Sequence, residues 1–467
     1  MADLAPIMAK ILFWALVVAV LVAPRRWAIL AFLVVIQIDV SGPGWASPSA
    51  VGLENAIKVL GLPLLLLLRL GIPALAPYRS LAFKLWLLFT GYAAIASLWS
   101  PFSLSAAKMA VYLTSYAVVF LVFTEAWRQE LIDLHQVISA VWVSLLLAAV
   151  QTYVLGNPFG SPPKLIIEQA RFTTFSAPQS YAAFLVSAAA VILFVPWKMT
   201  WRHDRLLTVV TGIGIATGLV LVGSRYVFIG ASLMLLVWGA LALHTRLQRA
   251  AISRAAAVRA VLVGLGAFVI LLGSVAAVAP DNRIFALRHL VSHGRLNPRA
   301  IGTFEWRLDA YRTALDQIQS RPLREDVFGS GTSSAARAVL AFNPTAFPAD
   351  TIDANRSMHN EFLRTFYEWG IVGTTLFLAF LTTLIGGFFR SARRTGVVPT
   401  QVFWGLLPAL GLGLLLENVL AGSGTPVGTG FTLVIACAAN AIASASKRVE
   451  SKHARPPRTQ LIPAAGR

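Results

Sequence analysis

Ser357-Met358-His359-Asn360 stands where the one long hydrophilic stretch of the chain gives way to an apolar run, and it brings a histidine and an amide to that boundary. Ser357 can cap a helix, which puts His359 and Asn360 in its first turn. A histidine there can take a proton or hydrogen-bond a phosphate, and the helix N-terminus adds partial positive charge for an anion. Gly370 and Gly373 follow after nine residues, one turn apart, and let a neighbouring helix approach closely. A lone boundary histidine is ordinarily just a polar residue; its combination with the spaced glycines shifts the balance. Arg225 is the second feature. Preceded by Gly223-Ser224, it lies between two apolar runs, where a guanidinium costs about 3 kcal/mol or more unless it meets a cavity, a partner or the interface. It either snorkels to headgroups or stands as a fixed cation facing an anion at the membrane surface. Glu417-Asn418, near the end of a later apolar run, is a candidate partner for that cation.

The stretch from Pro280 to Asn360 holds ten arginines and no lysine, with acids nearly balancing them. Most of these arginines read as a solvated surface pairing with its own acids. The choice of arginine alone still hints at planar anion recognition, because its fork matches phosphate oxygens. From Thr303 to Ser320 the stretch reads as an amphipathic helix, with Phe304, Leu308, Tyr311, Leu315 and Ile318 at helical spacing. Pro322 stops that helix, and Gly329-Ser330-Gly331-Thr332 makes a turn.

The elements that carry these residues are apolar helices. The chain of 467 residues is 57% hydrophobic and 13% charged, about half the charge that a soluble surface needs. Apolar runs fall at Ile7 to Ala23, Trp27 to Ile38, Ala56 to Leu68, Phe83 to Leu98, Ala106 to Phe123, Leu134 to Leu155 and Tyr181 to Val195. Others fall at Leu206 to Val222, Tyr226 to Leu243, Ala260 to Val278, Phe362 to Phe389, Val402 to Leu420 and Val427 to Ala443. The expectation is an all-α, polytopic transmembrane bundle of about 12 or 13 helices, the first two forming one tilted hairpin. The runs lack period-two alternation, which argues against a barrel. Residues 1–279 would hold ten spans, 280–360 one large loop, 361–446 the last three spans and 447–467 a basic tail. The first run is not a cleavable signal, since Pro24-Arg25-Arg26 follows it without a small-residue cleavage site.

Short loops around Arg202 and Arg205, Arg246 to Arg259 and Arg390 to Arg394 are basic, as is the tail, whereas alternate loops are poor in lysine and arginine. The positive-inside rule places the basic loops in the cytoplasm and, by parity, the large loop on the opposite side, the periplasm of a bacterium. The net charge of +19 is read as this orientation signal and not as nucleic-acid binding, because no basic patch is interleaved with stacking aromatics. The single cysteine, Cys437, excludes an intrachain disulfide framework.

His359-Asn360, nine residues, then Gly370-x-x-Gly373 resembles the signature of the O-antigen ligase and O-antigen polymerase superfamily. Further segments agree in order. Arg171 to Gln179 is similar to the family's arginine-to-Pro-Asn segment, with Gln179 replacing the usual Asn. Gly223-Ser224-Arg225 is similar to its Ser-Arg turn, and Arg307 with Tyr311, Pro322 and Gly329-Ser330-Gly331 to its loop motif, with Tyr311 where Trp is common. The likeness runs from about Arg171 to Gly373; the N-terminal third agrees in hydropathy alone.

The resemblance implies a GT-C-like bundle in the bacterial inner membrane. The donor would be a glycan on undecaprenyl diphosphate at the periplasmic leaflet. An acceptor sugar hydroxyl, on lipid A-core or on a lipid-linked repeat unit, would attack the anomeric carbon. Arg225 and Arg307, with Arg171 as a weaker third, would hold the diphosphate as its charge grows. His359 would be the base or another diphosphate contact, with Asn360 beside it on the substrate. The absence of Asp-x-Asp or a clustered His/Asp set in the loop predicts transfer without a metal or other cofactor. The shared motifs leave ligase and polymerase both open, with a lean to ligase. A transporter or lipid-linked glycan flippase competes from another class, although the unlike halves of the sequence disfavour it; a membrane scaffold leaves His359 and Arg225 unexplained.

Overall fold

The computed structural model describes residues 4–35, 38, 57–71, 80–155, 178–194, 202–222, 230–235, 239, 298–342, 358–395, 411 and 414. Every regular element among the described residues is helical: α1 Leu4–Val22, α2 Arg25–Val35, α3 Leu62–Leu70, α4 Leu81–Ala96, α5 Ser103–Arg128, α6 Leu134–Ala149, α7 Pro178–Phe194, α8 His203–Val222, α9 Pro298–Ser320, α10 Leu323–Phe328, α11 Ala336–Phe342 and α12 Glu361–Thr395. Single π-helical turns lead into α3 at Ile57–Gly61 and extend α6 at Val150–Leu155. Among the described residues, five helical segments are long and apolar enough to cross a membrane: Leu81–Trp99, Ser103–Arg128, Leu134–Thr152, His203–Val222 and Glu361–Gly387. Large apolar side chains such as Leu88, Leu98, Leu146 and Ile213 remain outward on these helices, as suits a lipid-facing surface. The protein is an all-α, multi-pass membrane bundle.

The expected runs from α1 to α8 each coincide with a helix. Pro24, which cannot continue a helical ladder, separates α1 from α2, and the two pack against each other as the expected hairpin. The runs at Ala260 to Val278 and Val427 to Ala443 and the basic tail lie outside the described residues, as do most of the runs at Tyr226 to Leu243 and Val402 to Leu420.

One end of the bundle is tied by polar side chains. Arg69 of α3 donates to Val20 O and Ala23 O below α1, and Gln129, just past α5, donates to Leu70 O at 2.7 Å. Asp133 caps α6 in a reciprocal box with Gln136, which also donates to Arg26 O at 3.2 Å; Arg26 pairs with Asp133. His135 lies 3.3 Å from Asp204 at the start of α8. The C-termini of α1, α3 and α5 therefore meet the N-termini of α2, α6 and α8. This end carries Arg25, Arg26, Arg69, Arg128, Arg202 and Arg205.

The opposite end is built by α4, α5, α9 to α11 and α12. Packing of α4 on α12 is aromatic: the Phe89 and Trp369 rings meet edge-on at 5.0 Å, and Trp86 and Phe380 tilt together at 4.9 Å. α9 begins five residues before the expected Thr303, and its inward face also differs from the expected one. Ala310 and Ala314 are buried, Tyr311 and Ile318 pack beside them, and Leu315 is exposed. Ala314 lets α9 lie close to Ala335 and Ala338 near the start of α11; a pattern weighted by side-chain size finds Tyr311 and Ile318 but includes Leu315 and passes over the alanines.

Candidate functional site

α12 starts at Glu361 and its N-cap is Asn360, not Ser357, which lies outside the described residues. Asn360 Oδ1 accepts from Leu363 N at 3.0 Å, satisfying one of the free N–H groups of the first turn. His359 therefore sits just outside the helix and not in its first turn. Its φ of +51° lies in the left-handed region, where histidine is one of the more tolerated residue types. This turn carries the half-buried His359 onto α9: Tyr311 Oη donates to His359 O at 2.9 Å, and the Trp306 ring meets the imidazole edge-on at 5.6 Å. Arg307 is half-buried on the same helix, directly after Trp306 and one turn before Tyr311. His359, Asn360 and the α9 segment bearing Arg307 thus lie at one place. Arg171, Arg225 and Glu417-Asn418 lie outside the described residues.

Nine residues separate Asn360 from the point where the helix breaks. Gly370 takes φ +58° and ψ −159°, a conformation essentially restricted to glycine. The break frees the carbonyls of Phe366, Tyr367 and Glu368, and the segments on either side of α10 take them up. Ser330 N donates to Tyr367 O at 3.1 Å and Gly331 N to Glu368 O at 3.0 Å. Arg321, held by Asp326 at 2.8 Å, donates to Tyr367 O at 3.1 Å and Phe366 O at 3.4 Å. Thr332 reaches across to α4, donating from Oγ1 to Ala93 O at 2.6 Å while accepting from Trp369 Nε1 at 2.9 Å. Tyr92 Oη and Trp99 Nε1 donate to Phe328 O and Gly329 O, at 2.8 and 3.3 Å. The Gly329 to Thr332 turn is therefore a clasp between α4 and the broken helix.

The paired glycines have a more particular use than admitting a neighbouring helix. A Cβ on Gly370 would lie 2.5 Å from Gly329 N and 2.6 Å from Val327 O, so the approaching backbone belongs to the end of α10. A Cβ on Gly373 would lie 2.2 Å from the Trp369 Cβ and 3.2 Å from the Tyr92 ring. Gly373 makes room for the tryptophan that the break at Gly370 turns back over the helix, and for α4 beside it.

Glu361, Arg364 and Glu368, to which sequence reasoning gave no role, are all fully buried. Arg364 Nε and Nη2 donate to the two carboxylate oxygens of Glu368 at 3.0 and 3.3 Å, and Nη1 lies 3.5 Å from Glu361 Oε2. The guanidinium carbon is 5.7 Å from the Trp369 ring centroid, within cation–π range. Tyr116 of α5 lies within electrostatic reach of both Glu361 and Arg364. The available signal was three charges at i, i+3 and i+7 inside a membrane-length run, where ionisable residues are rare. Trp306 escaped notice because it lies off the apolar stripe chosen for α9, between Phe304 and Leu308.

A histidine, an amide and an arginine-bearing helix thus gather at one end of a multi-pass membrane bundle. Residues 210–378 match the sequence model of a family described as O-antigen ligase. That stretch of the chain is therefore similar to a domain of the O-antigen ligase family. The matched range contains Arg225, Arg307, His359, Gly370 and Gly373, and Arg171 lies before it. No curated protein matches the chain significantly.

Proposed function

We propose that the chain transfers a glycan from undecaprenyl diphosphate to an acceptor sugar at the periplasmic face, as an O-antigen ligase. The observation that carries this reading is the docking of His359 on α9, the helix that bears Arg307, inside the matched domain. The acceptor hydroxyl attacks the anomeric carbon as the bond from that carbon to the diphosphate oxygen breaks. Its proton passes to His359 acting as general base. The electron pair leaves with the lipid diphosphate, whose growing charge is met by Arg307 and Arg225. Asn360, one residue on, takes a hydroxyl or phosphate oxygen through its amide.

Two structural facts support the orientation. The arginine-rich end, with Arg25, Arg26, Arg69, Arg128, Arg202 and Arg205, suits the cytoplasmic side, and the site is at the other end. α8 starts at the arginine-rich end, and its 20 residues span about 30 Å, so Val222, three residues before Arg225, ends on the side of the site.

The test is transfer from purified lipid-linked glycan by variants with alanine at His359, Arg225 or Arg307, each checked for membrane level. We expect each to lose at least about a hundredfold in kcat/KM, the scale for removing one group that stabilises developing charge. Full transfer by the His359 and Arg225 variants overturns the site. Deleting the gene separates the two reactions: without a ligase, polymer accumulates on the lipid carrier, and without a polymerase, single repeat units do. Single units would turn the reading to O-antigen or exopolysaccharide polymerase.

A further inference from the structure

We infer that Glu361, Arg364 and Glu368 are positioning residues that fix the rotation of the nine-residue segment carrying His359, an inference that rests on the glycosyl-transfer reading above. The segment is bounded by the Asn360 cap and the Gly370 break, and the three charges run almost its whole length. All three have no exposure, although two carboxylates meet one guanidinium. Complete burial of such a set adds little stability, because desolvation offsets the mutual attraction, and apolar residues of similar volume commonly serve as well.

What the set supplies is direction. Arg364 faces Glu368 side-on through two nitrogens, a planar match that a rotated helix would lose. A turn of one residue, about 100°, would carry the charges out of their pocket beside Tyr116 and Trp369. Glu368 also accepts from Gly331 N through its carbonyl, so its side chain and backbone tie the segment to the clasp on α4. Glu361 adjoins Asn360, and any rotation of the segment swings His359 across Trp306 and Tyr311. None of the three is assigned contact with substrate.

The test pairs kinetics with a geometric reading that needs no activity. In the full-length chain, Glu361→Leu, Arg364→Met and Glu368→Leu are combined, replacing all three charges by apolar side chains of similar volume. The triple variant should reach the membrane with a thermal midpoint near the wild type. Its kcat for lipid-linked glycan should fall about a hundredfold, the cost of misplacing a reacting group by about 1 Å, while the donor KM holds. In a background with Cys437→Ser, the pair Trp306→Cys and His359→Cys should cross-link readily with the charges intact and slowly without them. Wild-type kcat together with wild-type cross-linking in the triple variant overturns the inference. Should that variant not reach the membrane, Glu361→Gln alone leaves Arg364 and Glu368 as a balanced pair. It must shift kcat and cross-linking in the same direction, and wild-type values in it are equally fatal. A wild-type chain that transfers no glycan but whose cross-linking depends on the charges sinks the transfer reading and leaves the positioning role standing.

Discussion

Gly370→Ala is the sharpest test of how the site is built. The new methyl would meet only backbone, lying 2.5 Å from Gly329 N, 2.6 Å from Val327 O and 2.7 Å from Asp326 O. No side-chain rotation relieves those contacts. The residue would also have to hold φ +58° and ψ −159°, at about 1–3 kcal/mol for a residue other than glycine. Moving the two backbones apart breaks Ser330 N to Tyr367 O and Gly331 N to Glu368 O, at roughly 1 kcal/mol each. The sum is about 3–5 kcal/mol, a large share of the stability of an ordinary domain. A loss near the middle of that range lowers the folded-to-unfolded ratio roughly a thousandfold. Thermal unfolding of the detergent-extracted protein, followed by tryptophan fluorescence, should show a midpoint many degrees lower. Gly91→Ala is the control: its Cβ meets nothing within 4 Å in α4, and alanine favours a helix by about 1 kcal/mol, so its midpoint should hold or rise. A Gly370→Ala protein with the midpoint of the wild type would refute the broken helix and the clasp together.

Asn360→Ala should lower the thermal midpoint by the equivalent of about 1 kcal/mol through the lost cap on Leu363, while Asn360→Asp preserves it; an unchanged midpoint in the alanine variant removes the capping role. Thr332→Val leaves the buried Trp369 N–H and the Ala93 carbonyl without this partner and should cost about 1–3 kcal/mol in the same measurement, with Thr332→Ser close to wild type. Equal midpoints for the valine and serine variants would show that the hydroxyl does not hold the clasp.

The sequence makes the membrane helices legible because apolar length is a local property; the run from Leu134 to Leu155 has the same ends as the observed helix, whose last six residues form a π turn that the run does not reveal. Places where contact partners decide the structure are less legible. The cap moves from Ser357 to Asn360 because both residue types can cap and only the position of the first helical N–H groups chooses between them. The stripe on α9 turns because small residues set how closely helices approach, and Ala310 and Ala314 carry no weight in a pattern of large apolar residues. The buried set at Glu361, Arg364 and Glu368 reads locally like the exposed face of any helix. Its burial follows from α5, more than 200 residues away in sequence, and from the clasp that precedes it in the chain.

The nine-residue spacing between His359-Asn360 and Gly370 then has a mechanical meaning. Nine helical residues rise about 13 Å, enough for two and a half turns. The Asn360 side chain closes the first turn, and Gly370 ends the last by leaving three carbonyls for Ser330, Gly331 and Arg321. Between them, one arginine can meet carboxylates three residues before and four residues after it only if the segment is a continuous helix of about two turns. One residue more or fewer would rotate one boundary against the other by about 100° and break either the pairing or the clasp. The glycines and the histidine are therefore parts of one object: the break anchors the segment to α4, and the segment carries His359 to the helix that bears Arg307. A substitution at the glycine end should reach the chemistry by moving the histidine, with no need for the glycines to touch substrate.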